Sequence, residues 1–340
     1  MAFAGFLISQ ERMQDLRSQV LYSQYTYFCY GGETMKTNRH ERSSLALAFR
    51  LFLVLLIAAW LTPAGAQDLA EIRERGVLRH LGVPYASFVT GNGEGFDAEI
   101  VKRFAMHLGV RYEYVQAEWN TVIQDLIGHE LEYQPVTRAV GKRVIRGDII
   151  ANGLTILPTR EKVIDYSIPT FPSAVWLLAR SDSRVRPIVP SGDLATDIKA
   201  TQGKLSEGSA FVMDNSCLDP KILGIDGKGY RFKRFTASTS LNDIVPAMLK
   251  HESEMTLLDV PDIISAMEKW HGQIKVIGPI SEEQRMAAGF RKSSPELRKA
   301  FNAFFSELQV NGTYMRLVQK YFRSAPRYLP NYFKGLTGSH

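Results

Sequence analysis

The strongest constraint on this chain is an alternation that occurs twice along it. Short strand-like apolar runs are separated by amphipathic helical stretches, first over residues 77–150 and again over about 188–290. The segment "GNGEGFDAEIVKRFAMHLGVRYEYV" shows the unit: Ile100, Phe104 and Leu108 share one helical face, Gly109 is placed to end the helix, and "VRYEYV" then alternates as a strand. A second helix, "NTVIQDLIG", leads to the strand "DIIANGLTI", and "KVIDYS" and "AVWLLAR" add further strands. The later stretch reads as strand "GSAFVMD", helix start "CLDPKILG", strand "RFKRFTA", helix "SLNDIVPAMLKH", strand "EMTLLD", helix "VPDIISAMEKW" and strand "IKVIG". Alternation of this kind predicts an α/β architecture. A chain of 340 residues exceeds what one compact core usually takes, so two lobes are expected.

Ahead of that alternation, a basic stretch with Lys36, Arg39, Arg42 and Arg50 runs into the apolar segment Leu51 to Leu61 and then Ala64, Gly65 and Ala66. This is the order of a secretory signal peptide, which predicts a start at Met35, cleavage after Ala66 and export to the periplasm. Residues 1–66 carry six of the 41 Lys/Arg and four of the 35 Asp/Glu, leaving 35 against 31, about +4, for the exported part. With both signs interspersed, no basic stripe of the kind nucleic acid requires is present, and no nucleic-acid partner is expected. Cys29 falls in the discarded part, so Cys217 has no internal disulfide partner. The seven histidines lack the i, i+3 or i+4 spacing of a helical metal site, and neither a metal nor a cofactor is expected.

Four separated motifs then agree with one another. "GFDAEIVKRFAMHLGVRYEYV", "GLTILPTREKVIDYS", "LLDVPD" and the ending "SPELRKAFNAFFSELQVNGTYMRLVQKYF" together resemble the family 3 extracellular solute-binding proteins, the amino-acid receptors of ABC importers, over nearly all of residues 68–323. The resemblance implies a type II periplasmic-binding-protein fold, with two α/β lobes joined by two crossing hinge strands and a ligand between them. Lobe one would comprise 68–175 plus 295–334, and lobe two 176–294. A small amino-acid-like ligand, an ABC permease as partner, a monomeric state and no enzymatic activity are implied with it.

A zwitterion taken out of water needs one cation and one anion to compensate it. The planar fork of Arg160 suits a carboxylate, and the resemblance assigns it that role through the pattern Thr155 to Arg160; the alternative is a surface arginine paired with Glu161. Asn152 and Gly153 form a turn that backbone could bring close to a ligand, and Thr155 would add a hydroxyl. Asp259 ends the strand "EMTLLD", where open α/β sheets place ligand contacts. The resemblance gives it the ligand's ammonium group, against a role as cap of the following helix. Tyr85 and Trp119 are candidate rings against the ligand or pieces of core.

Two departures from the family pattern stand out. The turn "DNSCLDP" carries Asn215, Ser216 and Cys217 where the family typically has glycine followed by threonine or serine, and it is expected to open a helix whose free N–H groups bind an anion. Ser216 and Cys217 are therefore candidate contacts, with Cys217 alternatively a small buried filler. Residues 129–147, with Arg138, Lys142, Arg143 and Arg146, interrupt what is often a short turn. They alternate enough for a hairpin, expected as a solvated surface excursion in preference to a cleft cover or docking element. Two competing functions share the fold: a cyclohexadienyl-dehydratase-like enzyme and a sensory module for a membrane receptor.

Overall fold

The computed structural model describes residues 67–133, 137–235 and 241–337. Met35, the apolar run ending at Leu61, the cleavage position after Ala66 and Cys29 lie outside the described residues. Among those described, two five-stranded sheets carry the architecture. The first has the order Arg111–Gln116, Val77–Gly82, Ile149–Ile150, Gly289–Arg291, Ile164–Tyr166, with Val77–Gly82 parallel to both its neighbours. The second has the order Arg231–Arg234, Ser209–Val212, Met255–Asp259, Val175–Arg180, Ile274–Pro279; its first three strands are parallel and the remaining two join antiparallel.

The chain passes between the sheets twice. Phe171–Ser173 leads out and Gln284–Met286 leads back, and the two crossings pair antiparallel, with Phe171 opposite Met286 and Ser173 opposite Gln284. The return is complete at Met286, so Gly289–Arg291 pairs into the first sheet, five residues short of the lobe-two limit at 294 expected from sequence. The start of the outward crossing is anchored by rings: Phe171 packs against Phe96 at 5.2 Å, Phe322 at 4.8 Å and Phe88 at 5.3 Å between centroids. Pairs at these separations add about 0.5–1.5 kcal/mol beyond their area burial. Tyr314, on the helix Thr313–Tyr321, donates its hydroxyl to the Thr170 carbonyl at 2.9 Å, which ties that helix to the residue preceding the same crossing.

Local sequence explains the elements that frame the cleft. The helix Phe96–Leu108 buries Phe96, Ile100, Val101, Phe104, Ala105 and Leu108 and stops at Gly109, which is left-handed at φ 73° and returns its N–H to the last turn. The hairpin reading of 129–147 meets a pair of antiparallel strands, His129–Glu132 and Arg138–Lys142. In contrast, "CLDPKILG" forms turns and not a helix. Asp219 shapes the preceding turn: its carboxylate accepts the N–H groups of Asn215 at 2.9 Å and Lys221 at 2.9 Å, and Asn215 is left-handed at φ 58°. Such side-chain-to-backbone bonds compete with helix formation, so this turn presents no helix N-terminus.

Gly153 sits at the lip of the cleft with φ +68°, and a Cβ there would come within 2.6 Å of the Phe88 ring. Its N–H is held at 2.7 Å by the buried carboxyl of Asp97. Left-handed strain and overpacking should each cost roughly 1–3 kcal/mol. Gly153→Ala is therefore expected to lower the unfolding free energy by about 2 kcal/mol or more in urea titration, and an unchanged midpoint would refute the account of this turn.

Candidate functional site

A cavity of about 310 Å³ lies between the lobes. Its walls come from the places where strands end, the edge at which open α/β sheets collect ligand contacts. Trp119 and Asn120 follow the strand ending at Gln116, and Gly153 and Thr155 follow Ile150. In the second lobe Met213 to Cys217 follow Val212, Phe235 follows Arg234, and Asp259 closes its own strand.

Arg160 reaches this cavity from the single turn Pro158–Glu161 and is 7% exposed. Its Nη1 donates to the Thr155 carbonyl at 3.0 Å, and its Nη2 donates across the lobes to the Asn215 carbonyl at 3.4 Å. Neither partner is an anion. Among the described residues no carboxylate lies within ion-pair reach of this guanidinium, neighbouring Glu161 included.

Asp259 is 2% exposed and approached from three directions. The Tyr85 hydroxyl donates to Oδ2 at 2.7 Å from lobe one, the Cys217 thiol donates to Oδ2 at 3.2 Å, and the Ser173 hydroxyl donates to Oδ1 at 3.2 Å from the crossing strand. A carboxylate offers about four acceptor positions, so acceptor capacity is left over. Burial pushes the Asp259 carboxyl above its ordinary range, against the pull of these three donors and of the Arg160 charge. Asp259 also occupies the N-cap place of the helix Val260–Lys269 but makes no side-chain capping bond. Of its two readings from sequence, the carboxylate therefore turns to the cleft. Burial, reinforced by Asp259, drives the Cys217 thiol well above its ordinary range.

Of the nine residues singled out from sequence, Trp119, Gly153, Thr155, Arg160, Ser216, Cys217 and Asp259 line the cavity. Tyr85 and Asn152 are not among its lining residues. Tyr85 is 1% exposed, with its ring stacked on Phe88 at 5.9 Å and edge-on to Trp119 at 5.5 Å. It acts on the site through its hydroxyl, and not by laying a ring against a ligand. Asn152 is fully buried, and its side-chain nitrogen and oxygen have no hydrogen-bond partner among the described residues. Sequence reasoning missed Ser173, Phe235, Leu241 and Tyr133. Phe235 carries the same strand-end signal that found Asp259. Tyr133 belongs to the hairpin, and its place in the cavity wall corrects the expectation of a purely solvated excursion.

One turn further along the helix, Asp262 is 6% exposed with Oδ2 unpartnered among the described residues. Burial, followed by the nearby Asp259 charge, raises its carboxyl to about 8. A folded-state value above the ordinary 3.8 means that the fold holds a proton the unfolded chain releases. That contribution is complete below about pH 4 and is lost as pH rises through 8, with a slope of at most about 1.4 kcal/mol per pH unit. Asp262→Asn is expected to show a shallower fall in stability than the wild type between pH 4 and 8 in urea denaturation; parallel curves would contradict this.

With the geometry in place, comparison with known proteins is informative. Among curated relatives, the L-cystine-binding protein TcyJ of Escherichia coli K12 is 24% identical over 279 residues, covering 79% of this chain and 92% of its own length. The membrane-bound lytic murein transglycosylase F of Desulfosudis oleivorans is 24% identical over 230 residues, 67% of this chain, and the chain spans only 44% of that relative's length. Among solved structures, the P235GK mutant of ArgBP from T. maritima aligns with a TM-score of 0.59 at 22% identity, covering 75% of this chain and 99% of that one. The ancestral amino acid-binding protein AncCDT-1, described as a precursor of cyclohexadienyl dehydratase, aligns with a TM-score of 0.57 at 22% identity, covering 75% and 98%. At these identities the structural likeness speaks for the fold, which is that of type II periplasmic binding proteins. The model of the bacterial extracellular solute-binding proteins, family 3, matches residues 81–324, and the chain belongs to that family.

Proposed function

We propose that this solute-binding protein captures an amino acid or a close analogue between its lobes, with Arg160 gripping the ligand carboxylate and Asp259 its ammonium group. The observation that carries this reading is a buried guanidinium, unmatched by any described carboxylate, lining the same cavity as a buried carboxylate from the other lobe. One dipolar guest satisfies both charges, whereas either alone would stay uncompensated at a cost of several kcal/mol. Thr155, Gly153 and Ser216 supply neutral contacts at the rim, Cys217 and Tyr85 hold Asp259, and Trp119 walls the side-chain end. Asn152 supports the turn from behind. Relatives whose names cite L-cystine and arginine support the ligand class.

Among the described residues, contacts that span the lobes include Tyr85 to Asp259 at 2.7 Å, the Ala86 N–H to Asn242 at 3.0 Å, Ser87 to Ser265 at 3.4 Å, Arg160 to the Asn215 carbonyl at 3.4 Å and the rings of Trp176 and Tyr328 at 6.2 Å. A ligand bridging the same two lobes adds its differential affinity to that closed arrangement. In this reading the exported, monomeric protein works in the periplasm, hands its ligand to an ABC permease and performs no chemistry on it. The described helices fit such a role in that none is long and apolar enough to cross a membrane.

Thermal-shift and calorimetric titration with the common L-amino acids should identify at least one that raises the melting temperature, as binding to the native state requires. Arg160→Gln is expected to weaken that ligand by about 30-fold or more, the scale for leaving a buried charge unpaired; unaltered affinity would remove Arg160 from the site. Binding should also weaken as pH falls, starting above the range of an ordinary carboxyl, because the raised Asp259 group loses its charge early. A flat profile down to pH 4 would exclude Asp259 as the ammonium partner. Incubation with prephenate or arogenate should yield no aromatic product, and its appearance would favour the dehydratase reading.

A further inference from the structure

Apart from Arg160 and Asp259, the cavity is walled chiefly by apolar and aromatic side chains: Trp119, Ile123, Tyr133, Met213, Phe235 and Leu241. Asp214 also borders it, its carboxylate accepting from Arg234 Nε at 2.8 and 3.1 Å in an ion pair whose two side chains are about half exposed. A ligand side chain bearing its own charge would therefore lose hydration here without meeting an uncommitted counter-charge, which is unfavourable. An apolar side chain gains from the same surroundings.

The hairpin contributes to this wall in a fixed position. Asp125, fully buried on the helix Val122–Ile127, accepts Arg143 Nε at 2.9 Å and Arg146 Nη1 at 2.9 Å. Arg143 also donates to Glu130 at 3.0 Å within the hairpin. Two of the hairpin's cations are thus spent in fastening its base to lobe one, and Tyr133 follows the first strand of that fastened hairpin and lines the cavity.

We infer that the ligand is an amino acid with an apolar or aromatic side chain, that cationic and anionic side chains are rejected, and that Tyr133 of the 129–147 hairpin is a specificity-determining residue. This inference rests on the zwitterion reading above. It is tested by titrating the wild-type protein with phenylalanine, tryptophan, leucine and methionine against arginine, lysine, glutamate and cystine. At least one of the first group should bind tenfold or more tighter than every member of the second. If arginine, lysine, glutamate or cystine is preferred, the side-chain inference is overturned while the zwitterion reading stands; silence across all amino acids overturns both. For a phenylalanine-binding wild type, Tyr133→Ala should weaken phenylalanine about tenfold with an unchanged unliganded melting temperature, and Tyr133→Phe should retain it. If leucine or methionine is the preferred ligand, the same pair of variants is read with that ligand. Full affinity in Tyr133→Ala would remove the hairpin from the specificity wall.

Discussion

A carboxylate held in the interior at the end of a central strand is the constraint around which this molecule is arranged. Asp259 receives one hydroxyl from lobe one, one from a crossing strand and one thiol from lobe two. Each of those donors depends on a different long-range feature. Tyr85 needs the aromatic packing that buries its ring, Ser173 needs the antiparallel pairing of the crossings, and Cys217 needs the turn that Asp219 closes. Hydrogen bonds to a charged group are worth more than neutral ones, about 1.5–3 kcal/mol each. The carboxylate therefore joins the state of the hinge, the closure of the lobes and the charge of the site in one place.

The contrast with three other buried charged groups gives Arg160 its meaning. Asp148 is met by Arg75, Arg79 and Arg291, Asp125 by Arg143 and Arg146, and Arg180 by Asp182 and Glu254. In these cases, where the fold takes a charge out of water, it supplies the opposite sign within ion-pair distance. Arg160 donates to the Thr155 and Asn215 carbonyls and meets no carboxylate among the described residues within ion-pair distance, although it is as buried as Arg180 to within one per cent of exposure. A guanidinium is not deprotonated in a protein to escape that cost. The unmet demand is directed into a cavity, where a ligand can answer it.

The hairpin of residues 129–147 shows how the same accounting of charges distinguishes scaffold from site. Its arginines Arg138, Arg143 and Arg146 are engaged by Glu132, Glu130 and Asp125, so they are structural, however much they look like a basic patch in the sequence. The uncharged Tyr133 is what it presents to the cleft. A loop added to a rigid scaffold can reshape a binding wall without disturbing the elements that hold the charges.

The amino-acid sequence determined the α/β alternation, the amphipathic face of Phe96–Leu108, the end of that helix at Gly109 and the strand end that delivers Asp259, because these follow from periodicities of a few residues and from the conformational freedom of glycine. It also pointed to seven of the cavity's fifteen lining residues, since strand ends are readable and the charge requirement of a zwitterion is elementary. It misjudged "CLDPKILG", which forms turns in place of the expected helix start, and of its two readings of Tyr85 the buried core piece is the one the fold adopts, with the hydroxyl serving Asp259. Only the tertiary structure decided which carboxylate faces which guanidinium, that Ser173 reaches the site from the crossing, and that Tyr133 walls it. Those outcomes depend on contacts between residues as far apart as Tyr85 and Asp259, 174 positions along the chain, and no local pattern encodes a distance of that kind.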